Sequence, residues 1–202
     1  MKRLFTVLLA LLLVMGLVAC NSDVPVKEEE ETAENDTNEE TVQEEEKILV
    51  AYFSATGNTK EVAEKIAFIT GADIYEIKAL EEYTEDDLSY NSSTSRTTNE
   101  QNDPTCRPAI GSETIDISSY KTVYIGYPIW WGDAPRIMDT FVETYDFEGK
   151  TVIPFCTSDN SGIGNSGKDL EALAGSGNWL EGQRFAAGAT EDEVRAWIEG
   201  LE

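Results

Sequence analysis

Lys47-Ile-Leu-Val-Ala-Tyr-Phe53 runs directly into Ser54-Ala-Thr-Gly-Asn-Thr59. The first seven residues are an apolar run that follows a charged one. Such a run reads as a strand buried on both faces, the mark of a parallel sheet. Beyond Asn58 the period changes. Val62, Ala63, Ile66, Ala67 and Ile69 share one helical face, while Lys60, Glu61 and Glu64 lie elsewhere. Gly71 stands where a helix C-terminal cap belongs. Between strand and helix, Ser54, Thr56 and Thr59 bring hydroxyls, Asn58 an amide and Gly57 freedom for close backbone approach. Backbone N–H groups at a helix N-terminus are unpaired, and the helix dipole favours an anion there. The loop has no Lys or Arg, so a phosphate would be held by neutral donors. It is not a Walker loop, which needs a Gly-Lys pair.

The pattern repeats along the chain. Residues 73–77 alternate polar and apolar and read as a half-exposed or edge strand. Residues 121–126 read as a third strand. Pro135 opens a helix with Ile137, Met138, Phe141, Val142 and Tyr145 on one side. Residues 151–156 read as a fourth strand, with Pro154 awkward in a central position. A short helix over 167–173 and a weak fifth strand over 183–187 follow. Thr190 and Glu193 form a capping box, and Val194, Trp197, Ile198 and Leu201 stripe the last helix. Strands alternating with helices imply an α/β class. Five strands fit the order 2-1-3-4-5, in which ligands bind beyond the strands' carboxyl ends at the switch point. That rule selects the loops after strands one, three and four. Residues 78–120 form a long polar connection, with a short helix expected to start at Thr84.

The second selected loop holds Pro128, Ile129, Trp130, Trp131 and Gly132. Adjacent indoles outside a core mark a stacking or interface surface; one of the two is expected to pack under the neighbouring helix. The third loop, residues 157–166, is polar and glycine-rich, with Thr157, Ser158 and Gly162 as candidate contacts.

Ser-x-Thr-Gly-x-Thr after a first strand resembles the phosphate-binding fingerprint of the flavodoxin-like family, matched here at Ser54, Thr56, Gly57 and Thr59. Tyr-Pro-Ile-Trp-Trp-Gly and Thr-Ser-x-x-Ser-Gly-Ile-Gly-x-Ser resemble the flavin-cradling loops of a bacterial branch of that family, with lipoprotein members. The resemblance covers residues 47–202. It implies a three-layer sandwich around a five-stranded parallel sheet and FMN as cofactor. The first loop would hold the 5′-phosphate. The backbone around Pro128, Ile129 and Trp130 would face the ring, with indole planes sandwiching it. The branch usually has small residues where Asp159 and Asn160 stand, so this chain adds a carboxylate near the flavin.

Composition narrows the chemistry. The chain has 202 residues, 39 acidic and 15 basic, a net charge of −24, and no histidine. A His triad, a His general base and a His-bound metal are excluded. Nucleic acid is not an expected partner, because phosphate binding needs clustered cations. Lys2 and Arg3, an apolar run from Leu4 to Val18, and Leu17-Val18-Ala19-Cys20 resemble a bacterial lipobox. Residues 1–19 are thus expected to be a signal peptide and Cys20 a lipidation site, with an ordinary signal peptide or uncleaved anchor as alternatives. Residues 20–46 read as a disordered acidic tether. Residues 47–202 keep 27 acidic and 12 basic residues, a net −15, in one domain.

The expected activity is electron transfer by an FMN-binding lipoprotein on the extracytoplasmic face of a cell membrane. Its expected partners are redox proteins with basic surfaces, steered by the field; the alternative is that the acids only keep it soluble. A monomer is expected. The apolar, acid-rich surround is expected to lower the potential of the second electron. The rivals are an FMN-dependent reductase of a small molecule such as a quinone, and a non-catalytic binding lipoprotein on the same fold. Cys156 ends a buried strand and reads as apolar filler, a bridge to Cys106 being the alternative.

Overall fold

The computed structural model describes residues 46–201. The expected signal peptide over 1–19, the expected lipidation site Cys20 and almost all of the expected tether over 20–46 lie outside the described residues. Among these residues no helix is long and apolar enough to cross a membrane.

The structure is a three-layer α/β sandwich. Strands β1 (Lys47–Tyr52), β2 (Asp73–Glu76), β3 (Tyr120–Pro128) and β4 (Thr151–Thr157) and a fifth position stand in the order 2-1-3-4-5, all pairings parallel. The helices are α1 (Asn58–Thr70), α2 (Arg96–Asn102), α3 (Arg136–Thr144), α4 (Ser166–Ala174) and α5 (Glu191–Glu199).

The continuous apolar strands supply two cores by their period of two. Leu49, Ala51 and Phe53 point to one face with Val123, Ile125 and Tyr127, where Ile137, Met138, Phe141 and Val142 of α3 and Leu170 of α4 cover them. Val50 and Tyr52 point to the other face with Tyr124, Ile153 and Phe155, under Val62, Ala63 and Ile66 of α1 and Val194 of α5. Gly126 falls on this second face, and the Phe155 ring fills the space a side chain there would take. The Thr190–Glu193 capping box forms as the sequence implies.

The fifth position differs from the expected single strand over 183–187. It is two pieces, β5 (Asn178–Trp179) and β6 (Gln183–Phe185), both paired to β4. Pro154 is the cause. Val152 accepts from the Leu180 N–H at 2.9 Å, so its polar groups face the fifth position. In a strand every second residue faces the same neighbour, so the missing N–H of Pro154 faces it too. There the outer strand swells: three residues, 180–182, stand opposite Ile153 and Pro154, a one-residue bulge. Gly182 lets the chain pass, since a Cβ would sit 2.8 Å from the Pro154 carbonyl oxygen.

The long connection is ordered. The helix expected at Thr84 is only one turn, tied by the Asp87 carboxylate, which accepts from the Thr84 N–H at 2.9 Å and its hydroxyl at 2.8 Å. The regular helix is α2, capped by Ser95. Cys156 is fully buried and Cys106 half-buried, and both are free thiols. Burial pushes the Cys156 thiol up to about 12, consistent with filler rather than reactivity.

Candidate functional site

The loops after β1, β3 and β4 meet at the carboxyl edge of the sheet. They form a cleft of about 490 Å³, a size typical of small-molecule sites.

The first loop is a preformed helix start. Gly57 is the N-cap with φ 93°, a left-handed conformation that glycine adopts without a Cβ penalty. Its N–H donates to the Ser54 hydroxyl at 3.1 Å, and its carbonyl accepts the first helical bond from Glu61 at 3.0 Å. The N–H groups of Asn58, Thr59 and Lys60 therefore open the helix without intrahelical acceptors. A Cβ on Gly57 would meet nothing within 4 Å, so the turn faces open space. Thr56 and Asn58 line the cleft. Thr59 is buried, and its hydroxyl pairs with that of Thr157 at 2.8 Å, pinning the first loop to the third.

The second loop is a two-residue hairpin. Trp130 and Asp133 exchange backbone bonds at 2.9 and 3.0 Å. Trp131 (φ 50°) and Gly132 (φ 85°) occupy the corner with positive φ, as a type I′ turn requires. Trp131 is the one non-glycine residue with positive φ among the described residues. Holding a bulky residue there costs of order 1 kcal/mol or more.

That turn separates the two indoles. Trp130 is buried, edge-on to Phe53 at 5.5 Å and to Tyr83 at 5.2 Å. It joins an aromatic cluster within the core that α3 covers, as expected for one of the two, and at 3 % exposure it offers the cleft little of its face. Trp131 remains 42 % exposed at the cleft. A sandwich between two indole planes is therefore replaced by one exposed indole, with Tyr90 beside it at 4.7 Å.

The third loop is braced from behind. The Arg184 guanidinium donates to the carbonyls of Ser158 and Asp159 and, at 3.3 Å, to the Ser158 hydroxyl. Among the described residues the only charged side chain lining the cleft is that of Asp159. Burial raises the Tyr90 phenol above its usual range, and the Asp159 charge adds to the shift.

Of the residues expected from sequence, Thr56, Asn58, Pro128, Ile129, Trp130, Trp131, Thr157 and Ser158 line the cleft. Ser54, Gly57 and Thr59 build the turn beneath it. Gly162 is not among the lining residues. Leu88 and Tyr90, from the long connection, were not expected and form part of the wall. Their only sequence signal is an apolar and an aromatic residue in a polar stretch. These features fit a flavin mononucleotide: a glycine turn open to an anion, neutral donors, and a flat apolar wall.

Comparison with known proteins identifies the fold and the family. A protein of Bacteroides eggerthii DSM 20697, assigned as a flavoprotein, is 48% identical over 77% of this chain and 97% of its own, with a TM-score of 0.72. One from Bacteroides uniformis ATCC 8492, assigned likewise, is 44% identical over 76% of this chain and 98% of its own, with a TM-score of 0.73. A flavoprotein of Lactobacillus acidophilus NCFM, solved in complex with FMN, shares the fold at 23% identity over 76% of this chain and 99% of its own, with a TM-score of 0.56. No curated protein matches. The family model described as flavodoxin matches residues 47–201, and the chain belongs to the flavodoxin family.

Proposed function

We propose that the cleft binds FMN and that the protein is an electron carrier. By this reading Cys20 is lipidated and the tether holds the domain at the extracytoplasmic face of a bacterial membrane. The carrying observation is the convergence of three loops on one cleft whose anion end offers only amides and hydroxyls. The FMN complex of the L. acidophilus relative supports it.

FMN supplies one- and two-electron transfer when bound. The chain's residues bind and tune. The first turn of α1 and the Thr56 hydroxyl would hold the phosphate. Trp131 would cover one face of the ring and keep water from it. Asp159 would oppose added negative charge, and Arg184, occupied with the loop's carbonyls, would hold that loop in shape. The domain's net −15 would attract basic redox partners as a monomer, and salt would weaken that attraction.

A second reading, an FMN-dependent reductase of a small neutral molecule such as a quinone, is favoured by Leu88 and Tyr90 beside the cleft. Purified protein is expected to be yellow, or to quench FMN fluorescence stoichiometrically on titration. A colourless protein that leaves FMN fluorescence unchanged contradicts the proposal and selects a binding lipoprotein. Steady-state oxidation of NAD(P)H would favour the reductase; cytochrome reduction that needs a separate reductase favours the carrier.

Asp159→Asn is expected to raise the potential of the second one-electron reduction by roughly 50 mV. Removing one charge ~7 Å away at an effective dielectric of ~40 is worth about 1 kcal/mol, and 59 mV is tenfold for one electron. Potentiometric titration of the two proteins side by side measures this. Identical potentials would mean that Asp159 does not face the ring.

A further inference from the structure

The polar helix α2 is a strut between the two walls of the cleft. Its first turn holds the long connection: the Thr97 hydroxyl and N–H both donate to the Asp87 carbonyl, next to Leu88. Its last turn holds the tryptophan hairpin. The Gln101 Nε2 donates to the carbonyls of Trp130 and Ala134, each at 3.2 Å. The Gln101 Oε1 accepts from the Arg136 N–H at 3.2 Å, and its main-chain carbonyl accepts from the Arg136 Nη2 at 3.1 Å.

Two carbonyl oxygens and one N–H converge on a single side chain. Only a primary amide offers two donors and an acceptor at one end; a carboxylate would repel both carbonyls, and an aliphatic chain would remove all three bonds, leaving the Trp130 carbonyl only its hairpin partner, the Asp133 N–H. The turn so held is the one that carries Trp131 at φ 50°. A strained conformation persists only where its surroundings over-determine it.

We propose that Gln101 is a positioning residue for the flavin cleft, fixing the Trp130–Asp133 hairpin and so aiming Trp131 before any ligand arrives. This rests on the FMN reading. Gln101 acts on the ring side of the cleft. Its loss should therefore weaken every ligand that carries the flavin ring, with or without a phosphate.

The test titrates FMN and lumiflavin, which lacks the ribityl phosphate, into wild type, Gln101→Met and Thr140→Val. Thr140 donates to the Pro108 carbonyl at 2.9 Å and does not line the cleft. It controls for loss of one hydrogen bond to the long connection. Gln101→Met is expected to raise both Kd values by the same factor, about tenfold, and to change the visible circular dichroism of the bound flavin. Thr140→Val is expected to lower Tm yet bind both ligands as wild type does. Should Gln101→Met fail to fold, Gln101→Glu keeps the size and the acceptor for the Arg136 N–H while losing both donations, and the same result is expected. Wild-type affinity in a Gln101 variant overturns the inference, as does an equal loss in Thr140→Val. A wild type that binds neither flavin overturns the cofactor reading itself.

Discussion

Thr56→Glu is expected to weaken FMN binding by two orders of magnitude while leaving riboflavin binding and thermal stability nearly unchanged. The first loop contains no cation, so nothing there would neutralise an introduced charge. A carboxylate and a doubly charged phosphate ~5 Å apart repel by about 3 kcal/mol at an effective dielectric of ~40, which is roughly a hundredfold or more in Kd. Thr56 is exposed, and its hydroxyl's one side-chain partner is the Asn58 amide at 3.4 Å, so folding loses little. Thr59 is the worse choice for this experiment. It is 1 % exposed and bonded to Thr157, and a carboxylate there would unfold the loop rather than repel a ligand. Riboflavin lacks the phosphate and so isolates the electrostatic effect. An unchanged FMN affinity, or an equal loss for riboflavin, would remove the helix start from the site.

Gly126→Ala is expected to destabilise the domain by about 3 kcal/mol, since adding a methyl to a packed core typically costs 1–3 kcal/mol and more where the neighbour is rigid. The added Cβ would lie 2.1 Å from the Phe155 ring. That ring cannot retreat, because Phe155 is fully buried and packs with Trp197 at 6.5 Å. A domain of this size loses roughly 2–4 °C in Tm per kcal/mol, so a fall of about 6–12 °C is expected by calorimetry. Phe155→Leu in the same chain should restore part of the loss, and a double-mutant cycle would show strong coupling between the two sites. Strict additivity would mean that the strand shifts instead of the ring.

Much of this arrangement was legible in the sequence because it rests on local periodicity. β1, β3 and β4 are apolar on both faces, and α1, α3 and α5 carry apolar stripes; these patterns survive folding unchanged. The three loops were legible because each follows the carboxyl end of a predicted strand, the first and third marked by glycines and hydroxyls and the second by adjacent indoles. What escaped depends on contacts distant in sequence. α2 reads Arg-Thr-Thr-Asn-Glu-Gln-Asn, with no apolar stripe. One face is buried because its polar groups find partners: Thr97 on Asp87, Thr98 on the Ser92 carbonyl, Glu100 on Tyr83 and Arg96. The fates of Trp130 and Trp131 could not be told apart by composition. A backbone turn of two residues decides which indole is buried and which is offered to the cleft. β5 has only two residues, too few for any alternation to register.

Pro154 has an effect beyond the strand it interrupts. An unpaired sheet margin is a template on which a stray extended chain can zip, and long flat margins seed aggregates. Here the outer margin is a pair of stubs, two and three residues long, with a kink between them. An incoming strand would lose register within a few residues. One imino acid, placed one strand inward, thus makes this margin of the sheet a poor seed for polymerisation, a useful safeguard where many copies crowd together.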